Sequence, residues 1–132
     1  MLTLDLAMQL RAAGLVWEPA SGDRFVVPHR EMDDDVFVLS DMTVEIHDFP
    51  TGRVIGFNGT TEWALDSIEQ QHVVWLPRED QLRALIGPRF QRLEAVPGGF
   101  AAVLELDGRE QRHIDIDAER AYARCLLALL RA

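Results

Sequence analysis

A chain of 132 residues, 48% of them hydrophobic, is long enough to bury a real core, and its net charge of −9 repels nucleic-acid phosphates and anionic lipid. All 13 basic residues are arginine, so a P-loop, a kinase site and a Schiff-base enzyme are excluded, because each needs a lysine amine. The lone cysteine, Cys125, fits a reducing compartment, and no apolar run reaches the roughly 18 residues of a membrane span.

The N-terminal stretch "MLTLDLAMQLRAAG" has an early acid and no basic lead, so it reads as an amphipathic helix and not as a signal peptide. The expected location is therefore the cytoplasm. The acid excess gathers at the front: residues 1–50 hold ten acids against three arginines, and residues 51–132 twelve against ten.

In chain order, the first helix is expected over Thr3–Ala13, with Thr3 as N-cap, Gly14 in the left-handed position beyond its end, and Leu6, Leu10 and Ala13 as its buried stripe. Ser21-Gly22-Asp23 is a turn between two short extended pieces. The run "VFVLS" reads as a largely buried strand, followed by strands over Met42–Phe49 and Arg53–Phe57. A helix is expected from Thr60 to about Gln71, then a strand at "VVWLP". Pro77 suits the first turn of the next helix, where Leu82, Leu85 and Ile86 share a face and Gly87-Pro88 stops it. "FQRLEAV", "GGFAAVLEL" and "REQRHIDI" read as three strands, and Ala118–Leu130 as the last helix.

The whole predicts one compact α+β domain over residues 1–132. Its mostly antiparallel sheet has about six to eight short strands and about four helices, and the N- and C-terminal helices pack on it.

Two hairpins fix registers. In "DFPTGRV", Pro50 and Gly52 suit a three-residue loop with a bulge, which sets His47 opposite Ile55, Glu45 opposite Phe57 and Asp48 opposite Val54. In "LELDGRE", a two-residue Asp-Gly turn would set Leu104 beside Gln111. A bulge instead puts Phe100, Ala102 and Leu104 on one face with Ile114 and Ile116. Burial favours the bulge, with Gly108 in the left-handed loop position.

The strongest site candidate is His47, which shares an expected sheet face with Glu45, Phe49, Ile55 and Phe57. A histidine beside a carboxylate among apolar neighbours can poise a proton-transfer group; the plainer reading is a hydrogen-bonded structural histidine. Paired with Glu45, His47 would have a pKa raised above the usual histidine value. Asp48 suits a cap on the Pro-Thr-Gly turn. "GFNGTT" could cradle a phosphate at a helix start, but no lysine follows and Glu62 repels an anion, so Gly59 and Thr60 read as turn and cap.

The acidic run Asp33–Asp35 and the row Glu62, Asp66, Glu69 lack metal-site spacing, so no metal and no cofactor are expected. Cys125 falls on the Ala121, Tyr122, Leu126, Leu129 stripe of the last helix and reads as core. Trp63 points away from its helix's apolar stripe, and Leu127 with Leu130 forms a second apolar seam on the last helix; both suit an interface.

The segments "GLVWEPASGDRFVVP", "VFVLSDMTVEIHDFPTGRVIGFNGTTEWALDS" and "VVWLPREDQLRALIG" resemble a family of short uncharacterised bacterial proteins of high-GC genomes, some labelled pilus assembly protein. The resemblance covers about residues 1–90 well and implies no catalytic residue. The function expected is a non-enzymatic domain that binds a protein partner or a second copy of itself. The alternative is a small-molecule or metal-assisted site around His47, Glu45, Asp48, Phe57, Asp33 and Asp35.

Overall fold

The computed structural model describes residues 1–28, 35–39, 45–49, 52–56, 67–69 and 73–132. Contacts divide the chain into two compact units, residues 1–16 with 77–132, and residues 17–76. Charge divides along the same line. The first unit carries ten acids and ten arginines, the second twelve acids against three arginines, so the net −9 falls wholly on residues 17–76.

In the first unit, α1 (Leu4–Ala12) starts where the Thr3 Oγ1 accepts the Leu6 N–H at 3.2 Å, and ends before Gly14 at φ 109°. Leu6, Ala7 and Leu10 are its buried face. Helix α2 (Glu79–Ile86) begins one residue after its N-cap, Arg78, whose N–H donates to the Gln81 Oε1 at 2.9 Å. Pro77 therefore precedes the cap and does not occupy the first turn. Leu82 and Ile86 are buried, but Leu85 is exposed, since it lies about 60° around the helix from Leu82.

After a short 3-10 turn at Gly87–Arg89 come β7 (Phe90–Val96), β8 (Gly99–Leu106) and β9 (Arg109–Asp115), an antiparallel sheet with β8 in the centre. Helix α3 (Ala118–Arg131) follows, its start capped by Asp117, whose Oδ2 accepts the Arg120 N–H at 3.0 Å. It lies on β8 and β9, and the Phe90 and Tyr122 rings meet at 5.3 Å. Helices α1 and α2 pack against α3.

The β8–β9 register corrects the expected bulge. Asp107 at φ 54° and Gly108 at φ 76° form a two-residue turn, and Leu104 pairs with Gln111. Gly108 is left-handed as expected. The bulge argument assumed a bare opposite face, and that face is not bare. Val103 sits between Arg92 and Arg112, and Ala101 between Glu94 and Ile114. Arg92 donates to both Glu110 oxygens at 2.9 and 3.0 Å, and Arg112 to Glu94 at 2.8 Å. Beneath these side-chain stems Ala101 and Val103 are fully buried. With both faces of β8 covered, burial does not choose the register, and the Asp-Gly turn does.

Cys125 is fully buried in α3, and burial pushes its thiol up to about 12. The native protein should resist a thiol reagent at pH 8 and react only when denaturant is added. Rapid labelling of the native chain would contradict this placement.

In the second unit, β1 (Arg24–Val26) runs antiparallel between β2 (Phe37–Val38) and β6 (Val74–Leu76). Its core is Trp17, Phe25, Val27, Leu39 and Val73, with Phe37 and Trp75 packed against it. The Trp17 and Trp75 rings stack at 6.3 Å, and Phe25 meets Phe37 at 5.5 Å. Val36 and Val38 are exposed, so β2 is an edge strand with one face inward, where a largely buried strand was expected. The buried Asp23 accepts the Trp17 indole N–H at 2.9 Å and the Ala20 N–H at 3.0 Å through Oδ2.

A further antiparallel sheet has the order β3 (Glu45–Phe49), β4 (Gly52–Gly56), β5 (Ser67–Glu69). Ser67–Glu69 lie within the helix expected from Thr60 to Gln71, and the structure corrects that: Ile68 pairs with Ile55 and Glu69 with Val54. Strand pairing is non-local, and helical periodicity within the segment cannot see it. Among the described residues there are nine strands and three α-helices, against the expected six to eight and four. The α+β, antiparallel class stands. No helix among the described residues is long and apolar enough to cross a membrane.

Candidate functional site

The residues expected to form a pocket are placed unevenly. Glu45, His47 and Asp48 lie on β3, Asp35 is exposed, and Asp33 and Phe57 lie outside the described residues. The β3–β4 register is one residue off expectation: His47 pairs with Val54, Glu45 with Gly56 and Asp48 with Arg53. Gly52 pairs with Phe49 and so belongs to the ladder, where a loop position was expected. Gly56 and Val54 therefore stand opposite Glu45 and His47, where Phe57 and Ile55 were expected. No group of three or more histidine, cysteine, aspartate and glutamate side chains that could hold a metal occurs among the described residues.

Of the residues expected at an interface, Trp63 lies outside the described residues, Leu127 is 6% exposed and Leu130 is partly exposed.

A different constellation stands at one end of the first unit's sheet. Here the Pro97-Gly98 turn joins β7 to β8, and the end of β9 leads into α3. Gly99 permits the junction to close. A Cβ built there would lie 2.4 Å from the Asp115 carbonyl oxygen and 2.9 Å from the Ile116 Cα. Beside it opens a cleft of about 540 Å³ lined by Thr3, Pro97, Gly98, Ile114, Asp115, Ile116, Arg120 and Arg124.

Asp115 organises the cleft. Its Oδ1 accepts the Asp117 N–H at 3.0 Å and the Arg120 Nε–H at 2.9 Å, and its Oδ2 accepts the Arg124 Nε–H at 2.9 Å. Burial alone would raise its pKa, but the Asp117 N–H and the two guanidinium groups hold it below the usual carboxylate value. The arginines are four residues apart on α3, so they emerge one turn apart on the same face. With both Nε groups fixed on one carboxylate, the two guanidinium forks are held side by side. The residues before and after Asp115 in the chain, Ile114 and Ile116, also line the cleft and are 58% and 75% exposed.

One strand residue away from Ile114, His113 has its Nε2 3.3 Å from the Gln111 Oε1. Burial lowers its pKa, and the positive charge of Arg124 lowers it further. Protonation is thus harder in the folded chain than in the unfolded one. Its contribution is intact above the unfolded value, near 6.5, and stability is lost as pH falls below that value. NMR should find a His113 midpoint below 6.5, rising towards it in Arg124→Gln. A midpoint at or above 6.5 in the native chain would contradict this environment.

The elements of this cleft were readable in the sequence as strand, turn and helix, but its residues were not singled out. The available signal was Arg120 and Arg124 at helical spacing behind an Ile-Asp-Ile strand end. A second cleft, of about 420 Å³, lies at the other end of the same sheet among Pro88, Arg89, Glu105, Asp107 and Gly108. It presents one arginine against two acids and no exposed large apolar side chain.

Comparison with family models, with curated proteins and with solved structures finds no match to this chain.

Proposed function

We propose that this chain is a non-enzymatic protein-interaction domain and that it binds through the cleft at the end of β9. The observation that carries the reading is the exposure of Ile114 at 58% and Ile116 at 75% in the lining of the cleft that also holds the clamped Arg120–Arg124 pair. Exposed large aliphatic residues in a cleft with charged donors have the make-up of a docking patch: an apolar centre and a polar rim. Asp115 serves the arginines and is 8% exposed, so it is a structural carboxylate and not a general base awaiting substrate. Cys125, the chain's one thiol, is buried.

The partner is another protein or a second copy of the chain. Light scattering after size-exclusion chromatography at two concentrations distinguishes these. Selection of displayed peptides on the immobilised protein tests the reading itself. Peptides should be enriched whose binding is lost in the double variant Ile114→Ser, Ile116→Ser. If every enriched peptide binds wild type and variant alike, this surface is not the docking site.

A further inference from the structure

We infer that the cleft recognises a carboxylate on a protein partner, carried by an acidic side chain with an aliphatic residue next to it in an extended segment. The inference rests on the binding role proposed above and names the chemistry of the partner.

Among the described residues, Arg120 and Arg124 spend only their Nε–H groups on Asp115, and no hydrogen bond occupies their Nη groups. A guanidinium fork held in place is suited to the two oxygens of a carboxylate, and fixing it beforehand removes the side-chain ordering cost that weakens most surface ion pairs. The charge count selects the ligand. Two arginines and one aspartate line the cleft, leaving a single positive charge, which one carboxylate neutralises and a dianionic phosphate overshoots. Pro97, Ile114 and Ile116 form the apolar lining, which a bare inorganic ion cannot use. An aliphatic side chain beside the acid can. Among the described residues β9 is an edge strand that pairs with β8 alone, and an extended segment can add to its other side.

The test is a titration of ¹⁵N-labelled protein with a capped hexapeptide of alternating leucine and glutamate, and with its leucine–glutamine counterpart. The expected result is saturable shifts at residues 96–99 and 113–124. Binding should be at least about tenfold weaker for the glutamine peptide and weaker again as salt is raised. Arg124→Gln should weaken the glutamate peptide by about tenfold, and Arg124→Lys should restore only part, because lysine lacks the fork. The glutamine-peptide and salt comparisons use the wild-type chain, so they stand even if a variant fails to fold.

Equal binding of the two peptides would overturn the inference and leave the interaction surface standing on its isoleucines alone. Inorganic phosphate saturating the same residues as tightly as the glutamate peptide would overturn it in favour of a simple anion site. Shifts that grow with protein concentration alone would assign the cleft to a second copy and overturn the foreign acidic partner. Absence of any response at residues 96–99 and 113–124 would also overturn it. The peptide selection on the Ile114, Ile116 variant then decides separately whether the surface binds anything else.

Discussion

Replacing Gly99 by alanine should destabilise the unit that carries the cleft by about 3 kcal/mol, and valine should prevent its native sheet from forming. The position is intolerant because the added Cβ would meet backbone. The Asp115 carbonyl oxygen would be 2.4 Å away and the Ile116 Cα 2.9 Å away, and neither can swing aside as a side-chain end can. The β8 and β9 ends would have to part at the residues that feed Asp115 into its arginine clamp.

Loss of the cleft should thus accompany loss of stability. The readout is the far-ultraviolet circular dichroism transition together with the fluorescence of Tyr122, the only tyrosine in the chain. Alanine at Gly99 with an unchanged midpoint would show that the turn is looser than described.

Asp23→Ala should cost about 3 kcal/mol in the other unit. The carboxylate is 2% exposed and accepts both the Trp17 indole N–H and the Ala20 N–H on one oxygen. Alanine leaves both donors without that acceptor, beneath a tryptophan that stacks on Trp75 and meets Phe25 at 5.8 Å. Asp23→Asn keeps a side-chain oxygen and should recover most of the loss.

All three tryptophans lie in residues 17–76, so tryptophan emission reports this unit and the tyrosine reports the other. A denaturation series followed by tryptophan emission should therefore shift for Asp23→Ala. An unchanged tryptophan midpoint would mean that the Asp23 hydrogen bonds are replaced by water at no cost.

Local chemistry was legible in the sequence wherever local chemistry decides. Thr3 and Gly14 bracket α1, and Gly87 ends α2 with a positive φ of 72°, because caps and positive-φ positions depend on residues a few places apart. The sheet of β7, β8 and β9 was readable from three apolar runs broken by Pro-Gly-Gly and Asp-Gly. What failed was whatever depends on a partner strand. The β8–β9 register followed the turn because Arg92, Glu94, Glu110 and Arg112 cover the face that a hydrophobic count treats as solvent. Ser67–Glu69 is a strand that pairs with residues 54–56, some dozen positions earlier in the chain, beyond the reach of a local pattern.

The site was missed for a related reason. His47 drew attention as a rare residue type within one short motif. The clamp joins Asp115 to arginines five and nine residues later, across the change from strand to helix. No single periodicity, of two or of 3.6, brings those positions together. The isoleucines misled in the same way: alternation along "HIDI" reads as a core face, whereas Ile114 and Ile116 are exposed.

The most direct measurement of the central claim maps where a selected peptide binds. Amide shifts of the ¹⁵N-labelled chain, recorded with a peptide enriched on the wild-type protein, should be confined to residues 96–99 and 113–124. Shifts centred instead on residues 45–56 would place the binding site on the His47 hairpin and contradict the account.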